Sequence, residues 1–135
     1  MSRLLALVLV AVVLAGGSVG AHHSYAAYDR EHPISIEGDI VQVAYENPHT
    51  ILSVRTADAV YILEWGALSQ LRRTNVTPGD LKAGDHVIVT GSPFRDLSTH
   101  KLSILTDIRR PADGWRWSRW GQQPATLAPS ASPSQ

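Results

Sequence analysis

Apolar residues recur at every second position through most of residues 34–108, the period of strands rather than of helices. Between Ile34 and Glu46, Ile34, Ile36 and Ile40 share one parity, while Val41, Val43 and Tyr45 share the other. Strand side chains alternate between faces, so the apolar face changes side near Ile40–Val41. That predicts a bulge or a sharp coil, and a strand that serves both halves of a small closed barrel. Asn47-Pro48 marks a tight turn with His49 directly behind it, and a return strand over residues 49–56 turns Leu52 and Val54 inward. After a turn at Ala57-Asp58, Val60, Ile62 and Glu64 alternate with Tyr61, Leu63 and Trp65 in a third strand, and so short a turn implies antiparallel pairing.

Gly66 ends that strand, and Ala67–Arg73 reads as a helix of about two turns with Leu68 and Leu71 three apart. Thr77-Pro78-Gly79-Asp80 and Gly84-Asp85 punctuate the chain before a fourth strand, His86–Gly91. A loop over Ser92–Thr99 leads to a fifth strand, His100–Ile108, with Leu102, Ile104, Thr106 and Ile108 on one face. Three strands, one short helix and two more strands is the order of an all-β, five-stranded Greek-key barrel of the OB type. An SH3-like barrel or a small sandwich accommodates the same elements. The expected core includes Ile40, Val43, Leu52, Val54 and Val89. After Pro111 the regular pattern stops, and the segment WRWSRW (115–120) gives way to a Pro/Ser/Ala tail too poor in apolar residues to fold.

The first residues differ in kind. Arg3 precedes an apolar stretch from Leu4 to Ala15, a glycine-rich break follows, and Val19 and Ala21 fit the minus-three and minus-one positions of a signal-peptidase site. The apolar stretch falls short of the about 20 residues of a membrane span. The chain therefore divides into a signal peptide (1–21), an extended arm (22–33), an OB-like barrel (34–111), and a Trp/Arg segment with a disordered tail (112–135). The expectation is an exported, periplasmic protein that is not integral to a membrane after processing. Cleavage after Ala21 exposes the amine of His22, whereas cleavage after Gly20 puts histidine second and third; both ends chelate divalent copper or nickel.

Composition narrows the chemistry. Lys plus Arg and Asp plus Glu balance at 12 each among 135 residues, so no global field recruits nucleic acid. Cysteine is absent and Met1 is the sole methionine, which removes disulfides, thiolate sites, thiol nucleophiles and thioether ligands. No nucleophile elbow, phosphate-binding loop, dinucleotide fingerprint or zinc-protease motif occurs, so an enzyme is not expected. A soft-metal site here must use histidine, carboxylate or backbone groups.

His22, His23 and His49 carry the sharpest hypothesis. An N-terminal amine and imidazole with one further imidazole form a T-shaped donor set, the histidine brace, suited to divalent copper. The alternative is a solvated terminus, with His49 capping its turn by a hydrogen bond. Glu64 stands as a polar group on the inward parity near a barrel mouth, able to orient a histidine, or simply as a rim carboxylate. His32, His86 and His100 read as structural or solvated. Trp115, Trp117 and Trp120, interleaved with Arg116 and Arg119, form either a partner-binding or membrane-surface strip or a lid folded onto the barrel.

Taken together, AHHS (21–24), YAAYD (25–29), GDIVQVAYENPH (38–49) and LKAGDHVIVTGSPFRD (81–96) resemble a family of exported bacterial proteins of unknown function with an HHS start and an Asn-Pro-His turn. The resemblance spans Ala21 to Pro111. It implies a periplasmic OB-like barrel whose His22, His23 and His49 belong to a recurring pattern, and it brings no activity with it. The Trp/Arg segment and the tail look like departures from that pattern. Two functions follow: copper binding for storage, delivery or sensing, or a metal-free module that binds a peptide, a glycan or a membrane-protein partner. A copper oxidase built on the same brace is a third.

Overall fold

The face change in the first strand governs the architecture. The computed structural model describes residues 25–121; the expected signal peptide, His22, His23 and the tail beyond Gly121 lie outside them. Strand β1 (Ile34–Ala44) pairs antiparallel with β4 (His86–Pro93) through Ile34–Asp39 and with β2 (Ile51–Arg55) through Asp39–Ala44. Its register against β2 slips between Ile40 and Gln42, the bulge at which the apolar parity changes. Ile36 and Ile40 turn inward before it, and Val43 packs against the core after it.

β2 makes an antiparallel hairpin with β3 (Val60–Glu64), helix α1 (Leu68–Arg73) follows, and β4 leads to β5 (Lys101–Arg110). A short parallel pairing of β3 with β5, at Ile62 with Lys101 and Leu63 with Leu102, closes the ring β1-β2-β3-β5-β4. With its helix between the third and fourth strands, this is a Greek-key barrel of the OB type. Leu52, Val54, Leu63, Val87, Val89, Leu102 and Ile108 are fully buried at its centre, and α1 adds Leu71.

Three expectations are corrected. The sheet does not stop at Pro111: after a turn the chain returns as β6 (Trp115–Ser118), antiparallel to β5 from Asp107 to Arg110. Trp115 and Trp117 share one parity, and Trp117 is buried, so part of the Trp/Arg segment belongs to the folded sheet. Next, β5 does not hold one face. Its pairing with β4 slips between Thr90 and Ser92, Ile104 has φ of 50°, and Leu105 is buried in place of Ile104. Gly91 makes this possible, because a side-chain carbon there would stand 2.7 Å from Leu105 Cδ2 and 2.9 Å from the Ser103 carbonyl oxygen. Last, the inward parity of β3 is that of Tyr61 and Leu63, continued by Trp65, so Glu64 lies on the opposite parity with the exposed Val60 and Ile62.

Candidate functional site: an interrupted barrel wall

One edge of β5 is shared by two strands. β3 takes it at Lys101–Leu102 and β6 takes it from Asp107 onward; at Ser103–Leu105 no described strand pairs with it. The kink at Ile104 falls in this interval. The interruption opens a cleft of about 360 Å³. Glu64, Trp65 and Gly66 line it from the end of β3; Ala67, Gln70, Leu71 and Thr74 come from α1 and its ends; Pro48 and His49 come from the β1–β2 turn. Ser103, Ile104, Leu105, Trp117 and Arg119 complete the far side, with Tyr25 from the arm.

The turn is tied to the helix by its own side chains. The Asn47–Pro48 peptide is cis, and Asn47 Oδ1 accepts a hydrogen bond from the Leu68 N–H at 3.2 Å, satisfying a donor that the first turn of α1 leaves free. Gln70 Oε1 accepts from the Ala67 N–H at 3.1 Å. Behind the turn, the Trp65 N–H donates to the Thr50 carbonyl at 2.8 Å and the Thr50 N–H to the Gly66 carbonyl at 3.1 Å. His49 is thereby held beside the entry to α1. Its ring is exposed and makes no hydrogen bond to another described residue.

Two indoles form the floor. Trp65 and Trp117 meet edge to face at 5.1 Å and 80°, and Trp117 Nε1 donates to Thr74 Oγ1 at 2.9 Å. Trp65 Nε1 and Thr50 Oγ1 are buried without a hydrogen-bond partner among the described residues. The charges are less settled than the floor. Glu64 accepts from Ser103 Oγ only at 3.5 Å and forms no ion pair with a described residue. Burial, and then the charge of Glu64, push the Tyr28 phenol above its ordinary pKa. Arg119 donates its backbone N–H to the Thr106 carbonyl at 3.0 Å, while its guanidinium has no partner among the described residues.

Of the residues singled out from sequence, His49, Glu64 and Trp117 come together in this cleft. Trp115 does not line it; its ring lies 5.6 Å from the Arg110 guanidinium. Trp120 is 70% exposed, also away from the cleft lining. His22 and His23 lie outside the described residues. The other histidines are engaged elsewhere. His32 bonds Asp29 at 3.0 Å, and His100 meets Tyr61 edge to face at 5.2 Å. His86 lies between Glu37 Oε1 (3.0 Å) and Asp39 Oδ1 (2.7 Å), whose hydrogen bonds raise its pKa in that order.

Tyr25, Gln70, Ser103 and Arg119 carry no local signal for this cleft in the sequence, since they come together only through the closure of β3 onto β5, the pairing of β6 with β5 and the docking of the arm at Phe94. Among the described residues, no group of three or more His, Asp or Glu is arranged to hold a metal ion. No described helix is long and apolar enough to cross a membrane.

The chain belongs to a family of unknown function, DUF6152. The family model matches residues 9–103. That stretch contains the Asn-Pro-His turn, α1 and the strands that flank β1, and it ends within β5, so Trp117 and Arg119 lie outside it. No curated protein and no solved structure matches the chain.

Proposed function

We propose that this is an exported, periplasmic copper-binding protein whose metal is held by the N-terminal amine and imidazole of His22 together with His49, with His23 auxiliary. One observation carries the reading. His49 is exposed and without a hydrogen bond to any described residue, on a cleft whose lining includes Tyr25, three positions after His22. Three extended residues reach about 10 Å, and the reading takes the amine of a chain that starts at His22 to span that length from Tyr25 toward His49. Glu64 lines the same cleft and serves as a carboxylate that orients a ligand or balances its charge.

Amine and imidazole donors favour divalent copper among common divalent ions. They bind it only when deprotonated, so affinity declines as pH falls through the amine range near about 7.7–8.0 and the imidazole range near about 6.5. The test is a competition titration of the processed chain with copper and a chelator, paired with electron paramagnetic resonance. One extra glycine before His22, and separately His49→Ala, should each weaken copper binding by more than the roughly 10–100-fold loss typical of a group that only orients a ligand. Unchanged affinity in both variants sinks the proposal.

The exposure of Trp120 favours a second reading, a metal-free module with a protein partner. Because Trp117 packs in the core, Trp120→Ala isolates that contact where a truncation at Trp115 would not. Loss of a crosslinked partner with copper affinity intact supports this second reading.

A further inference from the structure

The cleft holds two opposite charges that the fold leaves uncommitted. Some charges elsewhere are paired, Arg110 with Asp85 and Asp113, Arg116 with Asp107, and Lys82 with Asp85, while others such as Arg55, Arg72 and Lys101 stand on the open surface with no ion pair among the described residues. Glu64 and Arg119 line one cavity from different elements, yet they form no ion pair with each other or with any described residue. Trp117, Leu105 and Gln70 line the same cleft. A half-buried carboxylate with one long hydroxyl contact is poorly compensated, and a counter-charge brought by a ligand relieves it.

We infer that this cleft binds a small zwitterion with an apolar side group, of the class of a free aromatic α-amino acid, its ammonium on Glu64 and its carboxylate on Arg119. A ligand with a single negative charge meets repulsion from Glu64, and one with a single positive charge meets it from Arg119. A zwitterion satisfies both, while its side group covers the indole floor. The cavity, about 360 Å³, lies at the lower end of the roughly 300–1,000 Å³ range of small-molecule sites. This site needs neither His22 nor a metal; the two readings share Glu64, and the chelator-treated chain tests this one with copper absent.

The experiment uses the full processed chain, treated with chelator and labelled with ¹⁵N, titrated with L-phenylalanine and followed through the indole and backbone N–H resonances. Phenethylamine lacks the carboxylate and 3-phenylpropionate lacks the ammonium. L-phenylalanine should produce saturable shifts at Trp117, Gly66 and Arg119, and each analogue should bind at least about 10-fold more weakly, the lower end of what a lost charge-assisted hydrogen bond costs. Glu64→Gln should weaken L-phenylalanine by about 10-fold or more without weakening 3-phenylpropionate, and Arg119→Gln should weaken L-phenylalanine likewise without weakening phenethylamine. Absence of saturable shifts at tens of millimolar overturns the inference. Equal binding of all three compounds, or shifts confined to Trp120, does so too. The three compounds on the unaltered chain decide the matter even where a variant fails to fold.

Discussion

The wall formed by β1, β2 and β4 and the wall between β3 and β6 are written in the same alternating code, but they use it differently. β1 pairs with β4 along its first half and with β2 along its second, the two ladders meeting at Asp39, and its one irregularity, the bulge at Ile40–Gln42, changes the buried face without leaving a gap between them. Ile40, Leu52, Val54, Val87 and Val89 are all buried there. The second wall is incomplete. One edge of β5 passes from β3 to β6 with an interval at Ser103–Leu105, and two indoles, a carboxylate and a guanidinium without ion pairs among the described residues line the gap. The continuous wall bears the stability, and the interrupted one collects groups that folding alone does not require.

That division can be broken by mutation. Leu52→Ala, in the continuous wall, should cost about 3 kcal/mol in urea denaturation, the usual loss for emptying a packed leucine site. Trp117→Phe, at the gap, keeps a ring against Trp65 but loses the bond to Thr74, and should cost about 1 kcal/mol. If Trp117→Phe costs as much as Leu52→Ala, the gap is as structural as the rest of the core and the contrast fails.

The smallest effect concerns the outer face of β1. Hydrogen bonds that the His86 ring donates to Glu37 and then to Asp39 raise its pKa, so folding favours its protonated form. That contribution is complete below the unfolded value of about 6.5 and is lost as pH rises through the higher folded value. The melting temperature of the unaltered chain should exceed that of His86→Gln most near about pH 6, with the margin closing toward about pH 9. A margin that does not change with pH assigns His86 a packing role instead of a charged one. All three groups are exposed, so solvent screening keeps the contribution to stability small.

The continuous wall was readable in the sequence because its irregularity is written in the side chains: the parity change from Ile40 to Val41 is the bulge. The order of strands around one short helix pointed to the barrel for the same reason, each element being local. β5 misleads. Leu102, Ile104, Thr106 and Ile108 alternate without a break, and the slip that buries Leu105 depends on Gly91, a residue on the neighbouring strand with no side chain to register in any pattern. β6 has only Trp115 and Trp117 to show an alternation, too short a run to separate a strand from an aromatic strip. The cleft was half legible. Asn47, Pro48 and His49 stand out as a motif, whereas Glu64 and Ser103 meet through the parallel pairing that closes the ring, and Arg119 arrives with the return of β6 along β5, contacts that no local spacing encodes.

The shared edge of β5 has one more implication. β6 is held to the barrel by a ladder of four residues on β5 and by Trp117, which packs on Trp65 and bonds Thr74, and one rim of the opening lies where that ladder begins. Sliding β6 by two residues keeps every side chain on its present face, because strands repeat in pairs, yet it moves the rim by about 7 Å. The aperture is thus adjustable by changes in a peripheral strand and its preceding turn while the ring of five stays as it is. A scaffold built this way separates the size of its mouth from the integrity of its walls.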